Sequence, residues 1–321
     1  MSDAMTDNGA PDNRALDTVA FANAAWAAAR PKLSVLIPFF RDDPSRLLAA
    51  LDAADLPAEI VVLDDGSGDP ALARQVTAAT RGLRLPARFV SLAANAGRAA
   101  GRNRLAAEAR ARHLLFLDAD MLPDSADFLA RWLALIAAED PPVAFGGFSL
   151  DQTPWSRATA VCRALSLKSD CMPVESRRQA PEKYVFTSNL LIRRDIFEAE
   201  PFDPGFVGWG WEDVEWGMRV SRRHPIAHID NPATHLGLAP AAAMAAKFEQ
   251  SAANFARVVA AHGDIVRTYP SYRAARALKR APLRALWRPL LKGFALIDAL
   301  PAAPRAFALR LYRAALYAEA V

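Results

Sequence analysis

Four apolar residues, Leu114-Leu115-Phe116-Leu117, stop at two carboxylates one residue apart, Asp118 and Asp120, and this change limits the fold more than any other stretch of the chain. An unbroken apolar run of this length reads as a strand buried on both faces, which calls for helices on either side of a parallel sheet. Side chains alternate along a strand, so carboxylates at i and i+2 point the same way and can share one cation or one hydroxylated ligand. An Asp-x-Asp after a strand is also an ordinary turn, so the pair gains meaning only from what the fold brings to the same edge.

Upstream, strands and helices alternate. Leu33-Ser34-Val35-Leu36-Ile37 is a strand closed by Pro38, and residues 44–54 read as a helix with Pro44 in its first turn. Glu59-Ile60-Val61-Val62-Leu63 is the next strand and ends on Asp64-Asp65-Gly66-Ser67; Asp69-Pro70 then caps and opens a helix reaching about Thr80. A third strand over residues 87–92 leads through Asn95-Ala96-Gly97 to an arginine- and alanine-rich helix over residues 98–110. Such alternation makes right-handed βαβ units, whose strands all end on one rim, so Asp64, Asp65, Asn95, Gly97, Asp118 and Asp120 are expected to converge there.

Beyond Asp120 the pattern predicts a helix over 125–138 and one strand over 143–148, whose Gly146-Gly147 pair lets another group approach the backbone. Residues 151–183 hold Pro154, Pro173 and Pro181 and are expected to form a mobile loop with a helical piece near 157–169; a strand over 184–193 follows. Gly208 and Gly210 around Trp209 make a tight bend, and Glu212-Asp213 open a helix that buries Trp216 and Val220. Simple helix capping is the plainer account of that acidic pair. A short strand near 226–229 precedes His235, and from residue 240 the chain is helical to its end.

A chain of 321 residues, 52% hydrophobic, can bury a large core, and it divides into a flexible, in part helical, segment 1–30, a main domain 31–240 and a helical basic extension 241–321. Cys162 and Cys171 are too few for a disulfide framework and lack metal-site spacing, which suits a reducing compartment. The first fourteen residues have neither the basic start nor the apolar core of a signal peptide, and no apolar run approaches a membrane span, so a cytoplasmic protein is expected. From Arg273 onward ten Lys/Arg face only Asp298 and Glu319, a surplus of +8 within a net charge of +4, so the preceding residues carry −4. A basic tail on an acidic body points to an anionic surface such as the inner face of a membrane. The last helix aligns Phe307, Leu311, Ala314, Ala315 and Ala318 on one side with Arg305, Arg310 and Arg313 off it, which suits lying on anionic lipid or capping the domain. Nucleic-acid binding is disfavoured because the tail lacks regularly interleaved aromatics.

Together, the strand ending at Pro38, Asp64-Asp65-Gly66-Ser67, Asn95-Ala96-Gly97 followed by Arg102-Asn103, and Leu117-Asp118-Ala119-Asp120 stand in an order that resembles family 2 glycosyltransferases of the GT-A fold, over roughly residues 33–240. The segment Gly208-Trp209-Gly210-Trp211-Glu212-Asp213 resembles the C-terminal motif of galactosyltransferases and chondroitin-type polymerases. The resemblance implies a mostly parallel α/β sheet flanked by helices and inverting, metal-dependent sugar transfer from a UDP-sugar to a hydroxyl of a glycan or glycolipid acceptor. It implies that Pro38, Asp64 or Asp65, Asn95, Gly97, Arg102 and Asp118 bind the nucleotide sugar, with Asp118 on the ribose. Asp120 and His235 would hold Mn²⁺ or Mg²⁺, with His224 and His228 as competing ligands. Asp213 would be the general base, Glu212 would contact a sugar, and Trp209 with Gly210 would support the acceptor. Trp211 departs from the glycine common in galactosyltransferase-like relatives, and the transmembrane pore and Gln-x-x-Arg-Trp motif of processive synthases are absent from the sequence. A sugar-nucleotide nucleotidyltransferase is disfavoured because no glycine-rich basic segment follows the first strand. A non-catalytic sugar-nucleotide-binding protein is disfavoured by the joint presence of Asp118, Asp120, Asp213 and His235, and a dehydrogenase because Gly97 and Gly101 do not make the dinucleotide fingerprint.

Overall fold

The computed structural model describes residues 17–52, 56–282 and 284–321. In chain order β1 (Asp17–Ala22) and β2 (Leu33–Phe39) precede α1 (Ser45–Leu51), β3 (Ala58–Asp64), α2 (Pro70–Gly82), β4 (Ala87–Leu92), α3 (Arg98–Glu108) and β5 (His113–Phe116). Then come β6 (Met121–Pro123), α4 (Phe128–Glu139), β7 (Val143–Phe145), β8 (Phe148–Ser149), α5 (Ala160–Ser169) and α6 (Val174–Arg177). After a 3-10 turn at Pro181–Tyr184 follow β9 (Leu190–Arg193), α7 (Arg194–Ala199), α8 (Glu212–Ser221), β10 (Ile226–His228) and β11 (Ala233–His235). Five helices complete the chain: α9 (Ala241–Ala261), α10 (Gly263–Val266), α11 (Pro270–Arg280), α12 (Arg284–Ala295) and α13 (Ala302–Tyr317).

The main sheet runs β1-β4-β3-β2-β5-β9-β7-β10. Its four strands β4, β3, β2 and β5 are parallel neighbours, as the βαβ pattern requires. All seven residues of β3 are buried, including Glu59, whose carboxylate is held by the Ser34 hydroxyl at 2.6 Å and by Arg110 at 2.7 Å. Asp69 caps α2 by accepting from the Ala71 and Leu72 N–H groups, as its place before Pro70 predicts.

Four expectations change. Residues 17–22 form a strand, not part of a flexible or helical segment, because β1 pairs antiparallel with the outer edge of β4; residues 1–16 lie outside the described chain. The predicted strand over 143–148 breaks at Gly146-Gly147, and β8 leaves the main sheet to join a second one, β6-β11-β8. A Cβ on Gly146 would stand 2.4 Å from Asn189 Nδ2 and 2.6 Å from the Asn231 carbonyl, so the close approach read from the glycine pair is made by the protein itself. The strand over 184–193 shortens to β9 and runs antiparallel between β5 and β7, because Asn189 turns inward to donate to the Gly147 and Asn231 carbonyls. Residues 151–183 are ordered into α5, α6 and the 3-10 turn rather than a mobile loop.

The last helix caps the body. Ala308, Leu309, Tyr312 and Ala315 are buried against α5, α9 and α12, while Phe307, which the sequence aligns on the apolar side with Leu311 and Ala315, is 62% exposed. Arg305, expected off that face, is buried because its guanidinium donates to the Ala295 carbonyl at 2.9 Å and meets Asp298 at 2.5 Å. Tyr317 stacks on Phe255 with centroids 4.1 Å apart, and both rings meet Trp211. Contacts of this kind contribute roughly 0.5–1.5 kcal/mol each beyond their buried area. Among the described residues no helix is long and apolar enough to cross a membrane.

Candidate active site

The parallel strands deliver their carboxyl ends to one rim, as predicted, but the acidic residues there do different work. Asp64 turns inward: it accepts from the Ser67 N–H at 2.8 Å and meets the Ser91 hydroxyl at 3.3 Å. It is absent from the lining of both clefts at the rim. Asp65 accepts from the N–H groups of Ala96 at 2.8 Å and Gly97 at 3.1 Å and from the Asn95 amide at 3.0 Å, which ties β3 to the start of α3. Burial pushes its carboxyl up to about 6 despite those donors. Asp65 lines a cleft of about 680 Å³ together with Pro38, Asn95, Gly97, Arg102 and Asp118.

A second cavity of about 350 Å³ adjoins it, and Arg98, Asp118, Asp120, Trp209 and Lys247 line both. Glu212, Asp213, Gly210 and His235 line the second. Residues as distant in sequence as Asp118 and His235 thus face one hollow, and two arginines one turn apart on α3 fasten its halves together. Arg102 meets Asp118 at 2.6 Å and Glu212 at 3.8 Å; Arg98 meets Glu212 at 2.8 Å and Asp118 at 3.8 Å. Glu212 is buried in that network, whereas Asp213 is half-buried and accepts only the Val214 N–H at 2.8 Å. Burial, then the Glu212 charge, raise the Asp213 carboxyl to about 7, against the pull of Arg102 and Arg98. A carboxylate with that affinity for protons and few partners is suited to taking one from a ligand.

On the opposite wall β11 pairs antiparallel with β6, setting His235 beside Asp120 with Nε2 and Oδ2 3.0 Å apart. The Leu236 N–H donates to the Asp120 carbonyl at 2.8 Å, fixing that register. Burial raises the Asp120 carboxyl, but His235 and Arg98 outweigh it and leave it below the ordinary value. Two groups about 3.0 Å apart can each reach a common ion at about 2.1 Å, so this pair could supply two ligands to a divalent cation. Among the described residues no cluster of three or more His, Cys, Asp or Glu forms a fully protein-made metal cage. His228 is buried between Arg177 and the Pro181 carbonyl, and neither it nor His224 lines the hollow, so the competing ligands are set aside.

Trp211 occupies a left-handed conformation, φ 79°, at the N-cap of α8, a backbone region that a glycine enters without strain. Its indole N–H donates to the Tyr317 hydroxyl at 2.9 Å, and that hydroxyl meets Ser251 at 2.8 Å. The bend before Asp213 is thus anchored to the end of α13. Sequence reasoning missed Arg98, Asp42 and Lys247. Arg98 was legible as the residue one turn before Arg102; Lys247 comes from α9, where nothing in the sequence marks the inward face. Asp42 lies near enough to Asp120 and Asp118 that, after partial desolvation, their charges help hold its carboxyl above the ordinary value.

Residues 34–199 match the family model described as Glycosyl transferase family 2. No curated protein matches the chain in sequence. Among solved structures, the chain is similar to the mannosyltransferase PcManGT from Pyrobaculum calidifontis, in complex with GDP-Man and Mn²⁺, with a TM-score of 0.56 and 16% identity over 92% of this chain and 88% of that one. TarS 1-349 of S. aureus in complex with UDP-GlcNAc aligns with a TM-score of 0.45 and 17% identity over 88% of this chain and 89% of that one.

Proposed function

The chain belongs to glycosyl transferase family 2, and from that membership we propose an inverting, divalent-metal-dependent transfer of a sugar from a UDP-sugar to a hydroxyl of a glycan or glycolipid. The carrying observation is that Asp213 lines the same cavity as Asp118, Asp120 and His235. In this reading Asp65 and Asn95 border the uracil, Arg102 fixes Asp118 toward the ribose, and Trp209 with Gly210 supports the acceptor. Asp120 and His235 hold Mn²⁺ or Mg²⁺, which when bound neutralises charge on the departing diphosphate. Asp213 takes the proton of the acceptor hydroxyl as its oxygen bonds to the anomeric carbon, and the electron pair of the breaking bond leaves with UDP. A single displacement inverts that carbon. Glu212, held by Arg98 and Arg102, positions Asp213 and raises its proton affinity through its charge. A panel of UDP-sugars and GDP-mannose tests the donor: Mn²⁺-dependent thermal stabilisation and slow hydrolysis are expected with one or more UDP-sugars. A response to GDP-mannose alone would replace uracil with guanine, and no response to any nucleotide sugar would end the transferase reading.

We also propose that the enzyme works on an anionic membrane surface, reached through α11 and α12 rather than through the helix predicted. Among the described residues, six of the ten exposed large hydrophobic side chains lie between Leu286 and Phe307. At 100° per residue Leu286, Trp287, Leu290 and Phe294 share a stripe roughly 100° wide on α12. Residues 265–297 contain eight Lys/Arg and no Asp or Glu. Arg273, Arg276 and Arg280 of α11 are exposed without ion pairs among the described residues. An apolar stripe with a cationic flank fits the interface of an anionic bilayer. The protein is expected to sediment with vesicles containing phosphatidylglycerol and not with phosphatidylcholine alone, and L290E/F294E is expected to lower that binding roughly tenfold or more. Binding unchanged by that pair, or loss of a dimer in its place, would exclude the lipid contact.

A further inference from the structure

Two of the three buried arginines among the described residues are matched to a carboxylate, Arg102 to Asp118 and Arg305 to Asp298. The third, Arg177, donates instead to the carbonyls of Met172, Phe145 and Ile229. Two half-buried arginines on the wall of the catalytic cavity have neither a carboxylate nor such a set of carbonyls. Arg310 donates only to the Leu165 carbonyl at 3.2 Å, and Arg313 lies over the Phe248 ring at 5.0 Å; neither has an ion pair among the described residues. The nearest acid, Asp170, is engaged by the Ser166 and Ser169 hydroxyls, both at 2.8 Å. Like charges three residues apart on one helix repel, and Arg310 is held below the ordinary guanidinium range by burial and by Arg313, with Asp170 a partial offset. Lys183, on the turn across the cavity, has aromatic neighbours and the Tyr184 hydroxyl at 3.5 Å but again no carboxylate.

The cavity therefore has two kinds of wall. The strand ends and the start of α8 supply carboxylates, while α13 and the turn at Pro181–Tyr184 supply unmatched cations. A neutral acceptor would leave those cations desolvated and mutually repelling, whereas an oxyanion would accept from the planar forks of both arginines. We infer that the acceptor carries an oxyanion, a phosphoryl or carboxylate group, and that Arg310 and Arg313 bind it while Asp213 meets the hydroxyl; this rests on the transferase reading above.

The test uses full-length protein saturated with UDP and Mn²⁺, so that the nucleotide cleft is filled, titrated calorimetrically with glucose, glucose 6-phosphate or glucuronate. At least one charged probe is expected to bind about tenfold more tightly than glucose. Whichever charged probe binds more tightly identifies the group as phosphoryl or carboxylate. R313Q, which removes no hydrogen bond to the protein, should erase most of that preference and R310Q/R313Q all of it, with UDP affinity unchanged. Intact UDP binding with no preference for charge, or a preference surviving in both variants, would overturn the inference alone. Failure of the wild type to bind either UDP or GDP would overturn the transferase reading and this inference with it.

Discussion

Asp213→Asn is expected to lower the transfer rate about a thousandfold while leaving UDP and metal affinity within a factor of two, since a positioned general base contributes on the order of 10²–10⁴. The substitution keeps the shape of the side chain and its acceptor for the Val214 N–H, and it removes one of two neighbouring negative charges beside Glu212, so the fold is not weakened. The pH dependence follows from the same environment. With the carboxyl raised to about 7, the wild type is half protonated near neutrality, so kcat should rise with pH up to a plateau above 8, about one unit beyond that value. The variant should show a low rate without that rise. Asp213→Asn protein with wild-type turnover, or a wild-type profile flat from pH 6 to 9, about two units around the same value, would remove Asp213 from the base role.

Residues whose meaning is local were legible in the sequence. Asp69 before Pro70 caps α2, and Asp118 and Asp120 end a buried strand, because spacing along one segment decides both. Position across the molecule was not. The residues around Asn189 have the apolar pattern of a strand, yet the strand begins only at Leu190 because the Asn189 amide finds its partners in Gly147 and Asn231, which no local pattern reveals. The pairing of Asp213 with His235 as facing groups came from likeness to a family, since the 21 intervening residues through β10 say nothing of direction. Asp64 and Asp65, adjacent and alike in sequence, separate in the structure because alternation turns the first into Ser67 and Ser91 and the second toward the cleft. The helices after Pro240 show the same limit: alanine-rich amphipathicity marks them as helical without saying which side packs inward, and Arg305 is buried while Phe307 is exposed because a carbonyl and Asp298 satisfy the guanidinium.

The second large effect is expected at a residue that carries no functional group. A Cβ placed on Gly237 would lie 2.0 Å from Asp120 Oδ2, 2.9 Å from its Cγ and 3.2 Å from His235 Nε2, well inside any tolerated contact. Gly237→Ala must therefore swing the Asp120 carboxylate away from His235 or push β11 off β6, and the 3.0 Å spacing that suits two ligands of one cation is lost either way. The wild type should bind UDP more tightly with Mn²⁺ than with EDTA, and Asp120→Ala should abolish that difference because one of the two proposed protein ligands is gone. Gly237→Ala should follow it, weakening Mn²⁺-dependent UDP binding on the order of 10- to 100-fold, the scale seen when a group that orients a metal ligand is disturbed. Its affinity in EDTA should match the wild type, since Pro38, Asp65 and Asn95, proposed to border the nucleotide, line the other cleft and are not among the groups a Cβ on Gly237 would meet. If Gly237→Ala keeps the full Mn²⁺ effect while Asp120→Ala loses it, the glycine is packing alone. If neither changes it, Asp120 and His235 are joined by a hydrogen bond and hold no metal, and the charge of the leaving diphosphate must then be met by Arg98 and Lys247, the two cations that line both clefts.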